Sequence, residues 1–199
     1  MWIIGIVGGI CAGKTVVAHE FTVLGARHFD ADKVSHRLLT KPSVAEDLTA
    51  IFGREILSPE GAIDRKKLAE IVFHEGPQAA AALRRLESVL HPLVLVEFYA
   101  EARQAAREGI PALVLDAPLL LEAKWAKLCH RIIYVDASPA VRAERARFRG
   151  FDAESLARRE RRQKSLEFKR LRADFMIDNA ASREHVQAQV ERIWRLLFG

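Results

Sequence analysis

The chain has 199 residues and a formal net charge of +5, and half of its residues are hydrophobic, a composition typical of globular proteins. This length favours one domain. No stretch approaches the ~20 apolar residues of a membrane helix, and the apolar start lacks the basic region and cleavage site of a signal peptide. Two cysteines without a C-x-x-C pair give no sign of zinc or of a disulfide framework. We therefore expect a cytoplasmic protein without a membrane partner.

The chain opens with an apolar run, residues 2–7, that predicts a buried parallel strand. Gly8, Gly13, Lys14 and Thr15 then complete the pattern G-x-x-x-x-G-K-[ST]. Such a loop turns backbone N–H groups toward phosphates, and the N-terminus of the next helix adds a positive dipole end. Lys14 can reach the β- and γ-phosphates, and the Thr15 hydroxyl can ligate Mg²⁺. This pattern predicts a site for a nucleoside triphosphate with Mg²⁺ rather than a plain turn with a solvated lysine.

Two carboxylates follow the second predicted strand, residues 26–29, after a helix that should continue to about Leu24. In an open parallel sheet, ligands bind beyond the carboxyl ends of the strands, so Asp30 and Asp32 should lie near the phosphates. Asp32 is a candidate base. The alternative is that Asp32 caps a helix beginning near Lys33.

Residues 42–109 have a mostly helical pattern, interrupted by the turn at 58–61, by Gly76-Pro77 and by His91-Pro92. Because this block lies between strands, we interpret it as an inserted helical substrate region. His91 could contact substrate or could be a polar residue at a kink, and the residues alone favour the second reading.

Two further strands are predicted at residues 112–116 and 131–136. Asp116 ends the first of them, where P-loop proteins commonly place a second Mg²⁺ ligand or a water-mediated partner of the ion. Ser138-Pro139 is a typical start for the next helix. A last short strand is expected at 175–179, and Ser182 should cap a final helix that ends at Leu197.

The segment 142–172, called the basic segment below, contains twelve basic and five acidic residues. Its pattern breaks at Gly150 and resumes as a helix from about Asp152. The basic segment could be a solvated helical face, which is the usual reading of a charge run. The excess of arginine instead favours a mobile lid that closes over the transferring phosphate and excludes water.

Taken together, these segments resemble the dephospho-coenzyme A kinase family over essentially the whole chain. The matching pieces are Gly8-Gly9-Ile10, Gly13-Lys14-Thr15, Asp30-Ala31-Asp32, His91-Pro92-Leu93-Val94, Pro118-Leu119-Leu120 with Glu122, Val135-Asp136-Ala137-Ser138-Pro139, Gln163 with Lys169-Arg170, and Ala173-Asp174 leading to Ile177-Asp178-Asn179. The P-loop alone is shared by many families, whereas this combination in this order is specific.

The resemblance implies a fold and a reaction. The fold would be an α/β, P-loop kinase-like three-layer fold with a parallel sheet, a helical substrate-binding insertion and an Arg-rich lid. The reaction would transfer the γ-phosphate of ATP to the ribose 3′-hydroxyl of dephospho-coenzyme A (dephospho-CoA), the closing step of coenzyme A synthesis. ATP, dephospho-CoA and Mg²⁺ would then be the ligands.

The resemblance also assigns residue roles. Catalysis would fall to Asp32 as general base, with Lys14, Arg145 and Arg149. The triphosphate would contact Gly9, Cys11, Ala12, Gly13, Lys14, Thr15, Val16 and Asn179, the last on the adenine side. The acceptor would contact Asp32, His91, Leu119 and Arg159, and the metal would be held by Thr15 and Asp116.

Several positions depart from the family pattern. Gly150 stands where an Asp commonly follows the lid arginine, the stretch to Gln163 is one residue short, and Ser165 replaces a usual Pro. In the phosphate loop, Cys11 and Ala12 replace Gly and Ser. Cys11 has neighbours that favour a reactive thiolate. An inert side chain that points into the protein is the equal alternative.

We expect a single P-loop kinase domain that is a monomer or a weak homo-oligomer. Its core would comprise about 1–40, 110–140 and 173–199, its helical substrate region about 41–109 and its lid about 145–165. Two other functions stay open: a P-loop kinase for another nucleotide or small alcohol, and a nucleic-acid-binding NTPase. The second is disfavoured because few aromatic residues accompany the basic segment, and we expect no nucleic-acid partner.

Overall fold

A five-stranded parallel sheet forms the centre of the fold. The computed structural model describes residues 1–73 and 76–199. Its strands are β1 Trp2–Gly8, β2 Arg27–Asp30, β3 Ala112–Asp116, β4 Arg131–Asp136 and β5 Phe175–Asp178, in the order β2-β3-β1-β4-β5. All neighbouring strands are parallel. The predicted parallel α/β fold is confirmed.

The register of the sheet brings chemically useful residues to one edge. Asp116 of β3 is paired with Ile6 of β1 on one side and with Asp30 of β2 on the other. The carboxyl ends of these parallel strands therefore lie together, at the edge where open α/β sheets bind ligands. The phosphate loop leaves β1 at the same edge.

Helices connect the strands. They are α1 Lys14–Val23, α2 Ala31–Leu38, α3 Pro42–Phe52, α4 Arg65–Phe73, α5 Pro77–Arg107, α6 Pro139–Phe148, α7 Ala153–Arg161, α8 Leu166–Leu171 and α9 Arg183–Phe198, with short 3₁₀ helices at Arg54–Ile56 and Trp125–Leu128. Among the described residues, none of these helices has both the length and the apolar character needed to cross a membrane.

The break predicted at His91-Pro92 is wrong, because α5 runs through Pro92. A proline inside a helix removes one backbone hydrogen bond. Leu90, Val94 and Phe98, spaced four residues apart, are 7%, 0% and 1% exposed, so one buried apolar face continues past the proline. Packing of that face outweighs the lost hydrogen bond.

Two helix starts differ from expectation. Helix α2 begins at Ala31, so Asp32 lies in its first turn and not at the capping position proposed for a helix starting near Lys33. The basic segment contains a separate helix, α8, that the charge pattern did not indicate. Ser165 caps it by accepting a hydrogen bond from the backbone N–H of Phe168 at 3.1 Å.

The chain divides into two compact units. The sheet unit comprises Met1–Asp30 and Glu101–Gly199, and the helical unit comprises Ala31–Ala100. In the sheet unit, β1, β3 and β4 contribute fully buried Ile4, Val114 and Ile133, and α1 and α9 contribute Phe21 and Val190. The core of this unit thus fixes β1 and α1, the two elements that hold the phosphate loop.

Candidate active site

The phosphate loop has glycine where the backbone leaves no space for a side chain. Gly13 has φ 92°, in the left-handed region, and a Cβ there would lie 2.0 Å from Nδ2 of Asn179. A Cβ on Gly8 would lie 2.6 Å from the carbonyl oxygen of Val135. Both ends of the loop are therefore restricted to glycine.

Cys11 also adopts a left-handed backbone conformation, with φ 59°, although it is not glycine. This conformation gives a physical reason for the glycine expected there from the family resemblance. Cys11 is only 6% exposed, which supports the inert alternative over a reactive thiol. The other cysteine is no more reactive, because burial raises the pKa of Cys129 to about 12.

Lys14 folds back onto the loop from which it projects. Its Nζ donates to the carbonyl oxygen of Gly9 at 2.9 Å and to that of Gly8 at 3.5 Å. To bind phosphate oxygens, the ammonium group has to exchange these backbone acceptors for the ligand.

Thr15 and Asp116 meet at the carboxyl edge of the sheet. The Thr15 hydroxyl donates to Oδ2 of Asp116 at 3.1 Å, and Asp116 is 5% exposed. Nε2 of His28 lies 3.5 Å from the same carboxylate oxygen. A hydroxyl from the first turn of α1 and a carboxylate oxygen from the end of β3 fit Mg²⁺, which prefers oxygen ligands and commonly takes only one or two from the protein.

Arg145 and Asn179 both contact the loop at Ala12. The guanidinium of Arg145 donates to the carbonyl oxygens of Ala12 at 3.2 Å and Asn179 at 2.9 Å. The Asn179 side-chain amide donates to the same Ala12 carbonyl at 2.7 Å. The structure thus brings together the loop, the end of β5 and an arginine of α6.

The sequence did not indicate that Arg142 is a site residue. It is 6% exposed, pairs with Glu160 of α7, and would lie 3.0 Å from a Cβ on Gly9. Arg142 is the first residue of the basic segment, and a run of charges gives no sequence signal for burial. The fold packs this arginine between the loop and α7.

Lys169 of α8 was also missed and is 1% exposed. Its Nζ donates to Oε1 of Gln163 at 2.6 Å and to the carbonyl oxygen of Gly8 at 3.5 Å, and lies 3.8 Å from Glu122. Burial lowers the pKa of Lys169, while Glu122 and Glu160 act in the opposite direction. A buried ammonium group therefore contacts the first residue of the phosphate motif.

A cavity of about 210 Å³ lies beside the loop. Its lining joins the loop to the segment between α7 and α8, and consists of Gly9, Ile10, Glu160, Gln163, Lys164, Ser165 and Leu166. The part of the basic segment that follows α7 is thus adjacent to the phosphate loop.

The remaining predicted residues of the sheet unit lie outside these contacts. Arg149 is exposed at the end of α6, and exposed Arg159 stacks over the ring of Phe151 at 4.7 Å. Val16 is 43% exposed, and Leu119 is half-buried in the turn after β3.

Asp32 and His91 belong to the helical unit. Asp32 is exposed in the first turn of α2, where a negative charge interacts favourably with the helix dipole. His91 is half-buried on α5, and burial lowers its pKa although Glu87 raises it.

A P-loop between β1 and α1 of a parallel sheet, with a basic segment beside it, defines a P-loop kinase. Solved structures share this fold. A crystallised protein of Thermus thermophilus is 31% identical with a TM-score of 0.84, covering 100% of this chain and 98% of its own. A shikimate kinase of Acinetobacter baumannii shares the fold at 14% identity with a TM-score of 0.55, covering 98% and 92%.

The family model for dephospho-CoA kinase matches residues 2–185. A dephospho-CoA kinase of Symbiobacterium thermophilum is 38% identical, covering 100% of this chain and 82% of its own. One of Corynebacterium diphtheriae is 35% identical, covering 98% and 96%. The chain belongs to the dephospho-CoA kinase family. It is an ATP-dependent kinase, a phosphotransferase acting on an alcohol group, in coenzyme A biosynthesis.

Proposed function

We propose that this kinase transfers the γ-phosphoryl group of ATP to the ribose 3′-hydroxyl of dephospho-CoA, using the residues around the phosphate loop. The observation that carries the proposal is the convergence of Lys14, Thr15 and Asp116 at the carboxyl edge of the sheet, in a chain of this family. These are the residue types that phosphoryl transfer requires for positioning and charge neutralisation.

Thr15 and Asp116 would hold Mg²⁺, with Asp116 binding directly or through water. When bound, the ion supplies positive charge to the phosphate oxygens as negative charge develops there. Their 3.1 Å contact already places a hydroxyl and a carboxylate oxygen side by side. Nε2 of His28 lies beside that carboxylate, 3.5 Å from Oδ2 of Asp116.

Lys14 and the arginines would neutralise the transferring group. The Lys14 ammonium leaves the carbonyls of Gly8 and Gly9 and binds the β- and γ-phosphates. Arg145 holds Ala12 and the end of β5, so it keeps the loop shaped around the nucleotide, with Asn179 on the adenine side. Arg149 and Arg159, exposed here, would approach the phosphates when the lid closes.

Asp32 would orient the acceptor hydroxyl and accept its proton. A carboxylate is a weak base for an alcohol, so the proton leaves late in the transfer. His91, Leu119 and Arg159 would complete the acceptor site. We further propose a single functional kinase domain that works as a monomer or weak homo-oligomer in the cytoplasm, without nucleic acid.

A panel of acceptors tests this proposal. The purified protein would be assayed for ADP formation with dephospho-CoA, adenosine, AMP and shikimate, each with and without Mg²⁺. We expect turnover to depend on Mg²⁺. We also expect kcat/KM for dephospho-CoA to be at least 100-fold higher than for any other acceptor of the panel, which corresponds to about 2.7 kcal/mol of transition-state discrimination. Equal or better turnover of another acceptor would overturn the substrate assignment, and unchanged turnover without Mg²⁺ would overturn the metal site.

A further inference from the structure

Two lysines converge on one backbone oxygen at the start of the phosphate loop. The carbonyl of Gly8 accepts from Nζ of Lys14 at 3.5 Å and from Nζ of Lys169 at 3.5 Å. Lys14 is the first residue of α1, directly after the loop, whereas Lys169 comes from α8 of the basic segment. Two ammonium groups within reach of a single oxygen lie close together and repel each other.

We propose that Lys169 is a positioning residue for Lys14: its buried ammonium group shares the Gly8 carbonyl with Lys14 and weakens the folded-back position, so that Lys14 exchanges its backbone acceptors for the nucleotide phosphates more readily. This inference rests on the proposed phosphate-binding role of Lys14.

The surroundings of Lys169 fit positioning better than direct phosphate binding. Its side chain is 1% exposed, and its Nζ already donates to Gln163 at 2.6 Å. Glu122, at 3.8 Å, balances part of its charge and holds it in place. The ammonium group is therefore fixed behind the loop, where water and salt screen its field little.

Lys169 also joins three segments of the sheet unit. Gly8 ends β1, Glu122 follows β3, and Gln163 follows α7. Oε1 of Glu122 in turn accepts from the backbone N–H of Lys164 at 2.6 Å. A movement of the segment between α7 and α8 would therefore be transmitted to Lys169, and through it to the position of Lys14.

A double-mutant cycle tests the proposal, because coupling between two sites separates a shared effect from independent ones. Lys169→Met removes the charge and the donor, Lys169→Gln keeps a donor without charge, and Lys14→Met removes the proposed target. Each Lys169 variant would be made with and without Lys14→Met. Exposed Lys127, in the 3₁₀ helix after β3, provides Lys127→Met as the matched control.

The measured quantities are kcat, KM for each substrate and melting temperature. We expect Lys169→Met and Lys169→Gln to lower kcat/KM for ATP about tenfold when Lys14 is present, and less than about twofold when Lys14 is Met. KM for dephospho-CoA should stay unchanged, and Lys127→Met should behave as the parent protein.

Other results would overturn the inference. Equal losses in both backgrounds would show that Lys169 acts only on structure, and full activity of Lys169→Gln would show that its charge is not needed. If Lys169→Met melts far below the parent, the polar Lys169→Gln variant carries the comparison. Normal turnover of Lys14→Met would instead refute the proposed role of Lys14 itself, so the two failures are distinguishable.

Discussion

At the scale of single residues, Cys11 shows how backbone conformation can explain an unusual side chain. Its φ of 59° costs a residue other than glycine about 1 kcal/mol. The 6% exposure of Cys11 also means that a reagent has little access to the thiol. The burial of this side chain could not be read from the sequence, because a loop motif does not specify where its variable side chains point.

Cys11→Gly should keep full activity and melt at the same or a higher temperature. Glycine relieves about 1 kcal/mol of backbone strain in the folded state. This gain offsets the greater conformational freedom of glycine in the unfolded chain, which costs about 1 kcal/mol of stability. Cys11→Ala is the matched control, since alanine keeps the strain. Thiol labelling of the native protein should be slow and should become fast on denaturation. Rapid labelling of Cys11 with loss of activity would contradict this account.

Asp32→Asn should reduce kcat by about 100-fold or more, because the amide keeps the shape of the side chain but cannot accept the proton. The KM for ATP should change little. Since Asp32 lies in the first turn of α2, loss of its charge should cost only about 0.3–1 kcal/mol of stability. Steady-state kinetics and thermal melting check both points. A variant with normal turnover would remove Asp32 from the mechanism.

At the scale of elements, a buried glutamate links the first and last helices of the sheet unit. Glu20 of α1 is 3% exposed and accepts from Nε of Arg183 at 2.8 Å and from the side-chain amide of Gln187 at 3.0 Å. Burial raises the pKa of Glu20, but these hydrogen bonds outweigh it and leave the pKa below its ordinary value. The ionised carboxylate therefore stabilises the pairing of α1 with α9.

Glu20→Gln should lower the free energy of unfolding by about 1–2 kcal/mol near neutral pH, because hydrogen bonds to a charged group are lost. The folded-state pKa is depressed, so the contribution is present above the unfolded pKa of about 4.5 and disappears as pH falls through the folded value. Urea unfolding at several pH values measures the difference. Exposed Glu191 on α9 supplies the control Glu191→Gln, and a pH-independent difference would contradict the ionised pairing.

The basic segment should become more protected when substrates bind. It contains most of α6 and all of α7 and α8, and Gly150 separates the first two with φ 77°. A Cβ on Gly150 would have no atom of another described residue within 4 Å, its chain neighbours aside. Its arginines repel one another until phosphates arrive. Hydrogen exchange in residues 142–172 should slow with a nonreactive ATP analogue plus dephospho-CoA, while exchange in α9 stays constant. Equal rates with and without ligands would argue against a lid.

At the scale of the whole molecule, the sequence predicts the elements whose signals are local. The apolar runs at β1, β3 and β4 and the glycine-lysine motif between β1 and α1 are read directly from residue order. Continuity of α5 through Pro92 depends on packing of Leu90, Val94 and Phe98, which no local rule reveals.

The site residues also fall into two groups: those with a local sequence signal and those whose position depends on the fold. The sequence predicts both Thr15, from the phosphate-loop motif, and Asp116, from the end of an apolar strand, and the fold brings them into contact. Lys169 and Arg142 lie in a run of charges that reads as solvent-exposed, yet the fold places both beside the loop. Burial of a charge depends on partners that the fold supplies, here Gly8 for Lys169 and Glu160 for Arg142, and sequence spacing does not reveal these contacts.

Mass spectrometry of the products is the most direct test of the central claim, phosphorylation of dephospho-CoA at the ribose 3′-hydroxyl. The protein would be incubated with ATP, Mg²⁺ and dephospho-CoA, and Lys14→Met would serve as the inactive comparison. We predict that dephospho-CoA gains one phosphate per ADP formed, that fragmentation and phosphorus NMR locate it on the 3′ oxygen, and that Lys14→Met forms little product. Consumption of ATP without this gain, or phosphate at another position, would contradict the account.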